Sequence, residues 1–141
     1  GEEKMKILFV CKYNRFRSQI AEQFFKKYNR NKNISAKSAG IFRGLFPLDK
    51  AEKKTVKDFG INISKKPKTI SIDILRGINL IVIVADDVPK ELFLYEGRYL
   101  QKVLQWDIDD EYAGKVDNIK KITEKIEINV KSLVKQLEKA K

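Results

Sequence analysis

The chain has 141 residues, of which 43% are hydrophobic and 35% are charged, so its length and apolar content suit one globular domain. It contains one cysteine and no histidine, which excludes an internal disulfide and a two-cysteine redox relay and argues against a zinc site. The formal net charge is +11, but the lysines are spread over every segment, which favours a solvated basic surface over nucleic-acid binding.

The organisation along the chain indicates a single domain without membrane attachment. No apolar run is long enough to span a bilayer and no leader pattern is recognisable, so we expect a cytoplasmic protein. Residues 1–4 precede Met5, where the sequence MKILFV resembles a natural start. We therefore expect residues 1–4 to be an N-terminal extension and residues 5–141 to form the domain.

The first predicted elements are a strand and a helix joined by a short loop. Residues 5–10 form a continuous apolar run, which is typical of a strand buried on both faces, and this run stops at Cys11. From Ser18 onward a helix is predicted, because apolar residues recur at helical spacing: Ile20, Ala21, Phe24, Phe25 and Tyr28.

Further strands and helices alternate along the rest of the chain. The patterns predict a strand over 34–39, a loop over 40–47, a helix from Asp49 to Gly60, a short helical turn over 71–76, a strand over 80–84, a helix from about Pro89 and a strand over 99–104. A long amphipathic helix closes the chain, with an apolar stripe made of Ile119, Ile122, Ile126, Val130, Leu133, Val134 and Leu137. Such alternation predicts the α/β class: a single three-layer domain with a four-stranded parallel sheet and helices on both faces. Binding sites in such sheets lie at the carboxyl ends of the strands, where Cys11 is expected.

The loop after the first strand carries a pattern with a chemical meaning. Residues 11–18 read C-x5-R-S between a buried strand and the start of a helix. Backbone N–H groups at a helix start suit a phosphate dianion and a thiolate, so Cys11 is a candidate nucleophile. Arg17 has the planar fork that holds two phosphoryl oxygens. Taken separately, Cys11 could be a small buried residue and Arg17 an ordinary surface arginine. Their position between a buried strand and an amphipathic helix favours the functional interpretation.

With Cys11, Asn14, Arg17 and Ser18 in the pattern C-x2-N-x2-R-S, the sequence resembles the low-molecular-weight protein tyrosine phosphatases and the related arsenate reductases. The resemblance continues through residues 38–40, Asp49, Ala51, residues 60–61 and Ser64. It implies a phosphate-binding loop after strand 1 that includes Lys12, Tyr13, Asn14, Arg15, Phe16 and Ser18. It also implies that Asn14 supports the loop backbone, that Ser18 hydrogen-bonds the thiolate and that Ser38 supports Asn14. Asp49 and Glu52 form a helix capping box, which explains Asp49 without catalysis.

The resemblance also implies a late aspartate as the general acid. The family places this residue in an Asp-Pro-aromatic loop, whereas residues 106–114 here read WDIDDEYAG and no proline follows an aspartate. Aligning both ends of the loop favours Asp110, with Asp109 second and Asp107 third. Tyr112 is a candidate aromatic wall beside a substrate phenyl ring. The alternative is a structural role, in which this tyrosine packs on the edge of the domain.

These features predict a phosphatase that hydrolyses phosphotyrosine through a phosphocysteine, without metal or cofactor. The expected substrates are phosphotyrosine-containing proteins or small aryl phosphates, and the expected inhibitors are inorganic phosphate and vanadate. Lys12, Tyr13, Arg15 and Phe16 predict a bulky, basic pocket rim that favours acidic partners. The alternatives are an arsenate reductase that uses an external thiol, a phosphocarrier, and a phosphate-binding module without turnover.

Overall fold

The structure of the chain, a computed structural model, describes residues 5–44, 48–63, 66–99, 101–110 and 115–139. Residues 1–4, Ser64 and Tyr112, for which the sequence made predictions, lie outside these ranges. The elements in chain order are β1 (Met5–Cys11), α1 (Arg17–Tyr28), β2 (Ile34–Gly40), α2 (Lys50–Asp58), α3 (Ile72–Leu75), β3 (Leu80–Val84), a 3₁₀ helix (Lys90–Phe93), β4 (Leu94–Tyr95), β5 (Arg98–Tyr99), β6 (Lys102–Trp106) and α4 (Val116–Lys139).

The central sheet has four parallel strands in the order β2-β1-β3-β6, which confirms the predicted sheet. Strand β1 lies in the middle, and all five residues of β3 beside it are buried. Cys11, the last residue of β1, is paired in register with Gly40, the last residue of β2. The nucleophile candidate therefore lies at the carboxyl edge of the sheet, between two neighbouring strand ends.

Helices cover both faces of the sheet, although unequally. On one face, residues of α1, α2 and α4 pack with alternate residues of β1 and β3 in a core that includes Phe9, Phe24, Val82 and Ile126. On the other face, α3 and the 3₁₀ segment pack on a smaller cluster around Val10 and Ile81. The three-layer arrangement is thus confirmed. Over the described ranges, no helix combines the length and apolarity that a membrane crossing needs.

Helix α2 begins and ends as the sequence predicts. The Asp49 side chain accepts a hydrogen bond from the backbone N–H of Glu52 at 2.8 Å, and the Glu52 side chain accepts from the N–H of Asp49 at 3.1 Å. This reciprocal pair satisfies two N–H groups that the helix itself leaves unpaired. Gly60, with φ of 81°, follows the last turn in a left-handed conformation that glycine adopts without strain.

Two predicted elements differ from the structure. The helix expected from about Pro89 is a short 3₁₀ helix followed by the β4–β5 hairpin, and the strand expected over 99–104 is β6, over Lys102–Trp106. The hairpin turns at Glu96 and Gly97, both with positive φ, and such a turn interrupts a helix regardless of the apolar spacing around it. Strand β6 is shifted because its five residues pair one to one with those of β3.

Candidate active site

The candidate nucleophile lies at the N-terminus of α1. Cys11 is 2% exposed, and its Sγ lies 3.0 Å from the Oγ of Ser18, the second residue of the helix. The loop between β1 and α1 therefore curls so that the thiol faces the positive end of the helix. Such a position favours negative charge, either on a thiolate or on a bound phosphoryl group.

Asn14 holds this loop from within. Its φ of 55° is left-handed, a conformation that asparagine adopts more readily than most residues. Its side-chain Nδ2 donates to Ser18 Oγ at 2.7 Å and to Ser38 Oγ at 2.9 Å, and its Oδ1 accepts from the backbone N–H of Lys68 at 2.8 Å. The hydrogen bond predicted between Asn14 and Ser38 is therefore present. Asn14 is fully buried, so these bonds connect the loop to β2 and to the segment before α3.

The end of β2 lies directly against the loop. The backbone N–H of Ile41 donates to the carbonyl of Cys11 at 3.1 Å, and that of Phe42 donates to the carbonyl of Lys12 at 2.9 Å. A Cβ atom on Gly40 would lie 2.5 Å from the carbonyl carbon of Tyr13, which is closer than real Cβ contacts come. This approach requires glycine at position 40.

Arg17 is 1% exposed and is held by groups at the carboxyl end of the sheet. Its Nη1 donates to the carbonyl of Ile108 and its Nη2 to Oδ1 of Asp87, both at 2.9 Å. Asp110 lies 3.4 Å and Asp86 3.6 Å from the guanidinium. The sequence prediction did not include Asp86 and Asp87. Their position directly after the predicted strand 80–84 was the signal, because parallel neighbours end at the same edge.

Of the three aspartates considered as the acid, Asp110 reaches the pocket. The pocket is lined by Cys11, Tyr13, Arg15, Phe16, Arg17 and Asp110. Asp107 and Asp109 lie instead with Asp86 in an exposed acidic cluster, whose carboxylate oxygens all lie within 4.8 Å of one another. Burial raises the pKa of Asp86, and the hydrogen bond and charge of Asp109 raise it further.

The predicted rim separates into an exposed part and a fixed part. Tyr13 is 38% and Phe42 55% exposed, their ring centroids lie 6.2 Å apart, and Lys12 Nζ lies 5.4 Å from the centre of the Tyr13 ring. Arg15 forms a bidentate pair with Glu52, whose side chain is only 2% exposed. Phe16 is 2% exposed and packs in the core, so it forms part of the pocket wall and not of the rim. The sequence prediction missed Phe42 and Glu52 because their roles depend on how β2 and α2 meet the loop.

Comparison with known proteins agrees with this geometry. A family model described as low molecular weight phosphotyrosine protein phosphatase matches residues 6–141. A protein-arginine-phosphatase of Bacillus subtilis (strain 168) is 28% identical over an alignment that covers 96% of this chain and 98% of that protein. The crystal structure of a low molecular weight protein tyrosine phosphatase from T. tengcongensis is 27% identical with a TM-score of 0.81 and covers 94% of this chain and 99% of its own. An arsenate reductase from Archaeoglobus fulgidus is 25% identical with a TM-score of 0.70, over 91% and 98% of the two chains.

Proposed function

The chain belongs to the low molecular weight phosphotyrosine protein phosphatase family, and we propose that it hydrolyses phosphotyrosine and other aryl phosphate monoesters through a phosphocysteine on Cys11. One observation carries the proposal. Cys11, Arg17 and Asp110 line the same pocket, and Tyr13 contributes an aromatic wall to it. We take residues 5–141 as the catalytic domain.

The first step is a displacement at phosphorus. The Cys11 thiolate attacks, an S–P bond forms, and the P–O bond to the leaving aryl oxygen breaks with its electron pair on that oxygen. Arg17 binds the equatorial phosphoryl oxygens through a planar fork. Its contacts with Ile108 and Asp87 use two of the five N–H donors of the guanidinium, and the phosphoryl group shares the others with the nearby carboxylates of Asp86 and Asp110.

Asp110 transfers the protons in both steps. As a carboxylic acid it protonates the leaving aryl oxygen in the first step, and as a carboxylate it then accepts a proton from the water that attacks the phosphocysteine. The second step breaks the S–P bond, releases inorganic phosphate and returns Cys11 as a thiolate. Because phosphate is a product that occupies the same loop, we expect phosphate and its analogue vanadate to inhibit.

The exposed aromatic rings favour aryl substrates. Tyr13 lines the pocket, and the exposed ring of Phe42 lies 6.2 Å from the Tyr13 ring at a tilt of 44°. A substrate phenyl ring gains from contact with aromatic neighbours. Lys12 beside Tyr13 adds a cation that attracts acidic segments near the phosphorylated residue. The proposed partners are therefore phosphotyrosine-containing proteins with acidic neighbours, or small aryl phosphates.

A second candidate reaction is the hydrolysis of phosphoarginine, which the similarity to the Bacillus subtilis protein-arginine-phosphatase favours. Arg15 lines the same pocket, but its guanidinium is paired with Glu52, so its charge does not decide between the two substrates. Arsenate reduction would need an external thiol, since Cys11 is the only cysteine of the chain. A thiolate enzyme without a second cysteine stays active in a reducing compartment, so we place the activity in the cytoplasm.

Hydrolysis of para-nitrophenyl phosphate from pH 4 to pH 8 in the presence of a chelator tests the proposal. Activity should survive chelation, vanish in Cys11→Ser and fall sharply in Asp110→Ala. Peptides with phosphotyrosine or phosphoarginine then compare the two substrate classes at equal concentration. A higher kcat/KM for the phosphoarginine peptide would transfer the assignment to the second candidate, and phosphate binding without turnover would indicate a binding module.

The rim is tested by charge reversal at Lys12. Lys12→Glu should raise KM for an acidic phosphotyrosine peptide several-fold, and added salt should reduce the difference because both charges are exposed. Reversing Arg15 is not a suitable test, because the new carboxylate would face buried Glu52 and destabilise the loop. An unchanged KM in Lys12→Glu would reject an electrostatic role for the rim.

A further inference from the structure

Basic and acidic residues are separated along the chain, and the sheet order carries this separation into space. The segment between Glu22 and Asp49, which contains β2, has no acidic residue and six basic ones: Lys26, Lys27, Arg30, Lys32, Lys37 and Arg43. Residues 86–110, which contain β6, have seven acidic residues and three basic ones. In the order β2-β1-β3-β6 these two strands are opposite edges of the sheet. The pocket at the end of β1 therefore lies between a basic and an acidic side.

On the β2 side, three segments of the chain meet at Tyr13. The ring of Phe42 lies 6.2 Å from that of Tyr13, and the backbone N–H of Phe42 donates to the carbonyl of Lys12 at 2.9 Å. A Cβ atom on Gly44 would lie 2.7 Å from the Tyr13 carbonyl oxygen and 2.8 Å from the Cβ of Pro67. The basic residues next to these contacts form what we call the basic strip: Lys12, Arg43, Lys66 and Lys68.

The charges of the basic strip are open to a partner. Arg43, Lys66 and Lys68 are exposed, and Lys12 is half-buried beside the Tyr13 ring. Within the described part of the chain, none of the four forms an ion pair with a carboxylate, whereas Arg15 and Arg17 in the pocket are both paired. A second molecule can thus bind the basic strip without breaking an internal salt bridge.

The β6 side of the pocket mouth has the opposite charge. Asp110 lines the pocket, and the acidic cluster of Asp86, Asp107 and Asp109 lies next to it, with carboxylate oxygens within 4.8 Å of one another. Like charges placed against each other weaken binding and suppress the wrong partner. An acidic substrate residue on this side is therefore repelled, while the same residue on the Tyr13 side is attracted.

We propose that the basic strip docks acidic residues that lie on one side only of the phosphorylated residue of a substrate protein. The inference rests on the proposed function, because the phosphoryl group bound over Cys11 fixes the point from which the substrate chain leaves in two directions. One direction leads across the basic strip and the other toward the acidic cluster. The partner is a segment with acidic residues on the first side and neutral or basic residues on the second. A segment that is acidic on both sides gains from one side and loses on the other.

A pair of mirror-image peptides tests the one-sided docking. Both carry phosphotyrosine and three aspartates, placed N-terminal to it in one peptide and C-terminal in the other, with serines elsewhere. Composition and net charge are therefore equal. At low salt, kcat/KM for the two peptides should differ by at least about fivefold, since several exposed charge pairs each contribute a little. In about 0.5 M NaCl, where the Debye length is about 4 Å, the ratio should approach one.

Variants assign the ratio to the two sides of the mouth. Arg43→Glu/Lys66→Glu should bring the ratio to within about twofold or invert it, and Asp107→Asn/Asp109→Asn should raise kcat/KM of the poorer peptide by about twofold or more. Lys135→Glu/Lys139→Glu is the matched control for the first variant, because it makes the same change in net charge on exposed residues near the end of α4. Lys135 lies roughly 28 Å along the axis from the start of this helix, so the ratio should not change. Because each ratio compares two peptides on one protein, a general loss of activity cancels.

The same comparison can be made without turnover. Fluorescence anisotropy of the labelled peptides with Cys11→Ser gives the ratio of their Kd values, which should match the kinetic ratio. No hydrolysis of para-nitrophenyl phosphate by the parent would reject the proposed function, and the ratio of Kd values would still decide the docking. A ratio within about twofold at low salt, a ratio that survives in Arg43→Glu/Lys66→Glu, or no binding of either peptide would overturn the proposal.

Discussion

The guanidinium of Arg17 lies 3.4 Å from the carboxylate of Asp110, so the group proposed to hold the phosphate and the group proposed to protonate the leaving oxygen are in direct contact. Arg17 reaches this position from the first turn of α1, and Asp110 from the loop between β6 and α4. The parallel sheet brings both to its carboxyl edge. Because Asp110 and Cys11 lie on different elements, a substitution at Asp110 tests the proposed acid and leaves the proposed nucleophile in place.

Asp110→Asn should lower kcat in a way that depends on the leaving group. A positioned general acid contributes roughly 10²–10⁴-fold to the rate, and this contribution matters most when the leaving oxygen is basic. The loss should therefore be larger for phenyl phosphate than for para-nitrophenyl phosphate, whose phenolate leaves readily without a proton. Steady-state kinetics with both substrates measures the difference. Asp107→Asn, in the exposed cluster, is the matched control and should change neither rate by more than about twofold. Equal losses for both substrates in Asp110→Asn would show that Asp110 is not the general acid.

Arg15→Leu should destabilise the fold as well as alter the pocket. The change leaves the carboxylate of Glu52, 2% exposed, without its guanidinium partner, and breaking a buried ion pair from one side costs about 3 kcal/mol. Arg76→Leu is the matched control, because Arg76 and Asp73 form a pair that is 74% and 88% exposed and should contribute less than about 0.5 kcal/mol. Urea unfolding of both variants gives the two free energies. Similar values would mean that the Arg15–Glu52 pair is as weak as a surface pair.

The sheet and the loop were accessible from the sequence because each depends on local pattern. The apolar runs of β1 and β3, and the C-x5-R-S motif between a strand and a helix, predict where the proposed nucleophile lies before any contact is known. The carboxylates around the loop were not accessible in the same way. Glu22 and Glu52 reach Ser38 and Arg15 only through the packing of α1 and α2, and a helical carboxylate has the same local pattern whether it faces water or a buried partner.

The choice among the late aspartates shows the same limit. Loop alignment favoured Asp110, but spacing alone could not say which of three nearby carboxylates turns inward. The structure places Asp110 in the pocket and Asp107 and Asp109 beside Asp86. The β4–β5 hairpin escaped prediction for a related reason, since two positive φ angles at Glu96 and Gly97 end the helical pattern and only the glycine signals this in sequence.

Gly40→Ala should impair catalysis more than its size suggests. The added Cβ would lie 2.5 Å from the Tyr13 carbonyl carbon and 2.6 Å from the Asn14 nitrogen, both backbone atoms, so the phosphate loop has to move. A shift of about 1 Å at a reacting group costs on the order of 10²-fold in kcat/KM. Gly97→Ala is the control, because Gly97 has φ of 79° but no heavy atom within 4 Å of the new Cβ. It should lose about 1 kcal/mol of stability and keep its kcat/KM. Full activity in Gly40→Ala would show that the loop tolerates displacement.

Asp109→Asn should stabilise the protein at neutral pH and not at low pH. Burial, followed by the hydrogen bond and charge of Asp109, raises the pKa of Asp86 above its ordinary value of 3.8. The folded protein therefore binds a proton at Asp86 that the unfolded chain has already released, so the contribution of this group to stability is greatest below pH 3.8 and is lost as the pH rises through the raised pKa.

Removing the neighbouring charge in Asp109→Asn relieves this loss. The gain at pH 7 should be about several tenths of a kcal/mol, because both groups are solvent-accessible and screened. It should vanish at pH 3, below the ordinary pKa of Asp86, because a neutral Asp86 no longer responds to the charge at position 109. Urea unfolding at both pH values measures it, and high salt should reduce the gain at pH 7. Asp117→Asn, in the first turn of α4, should show no gain because its carboxylate already faces the positive end of that helix. A gain of equal size at pH 3 and pH 7 would show that the effect is not electrostatic.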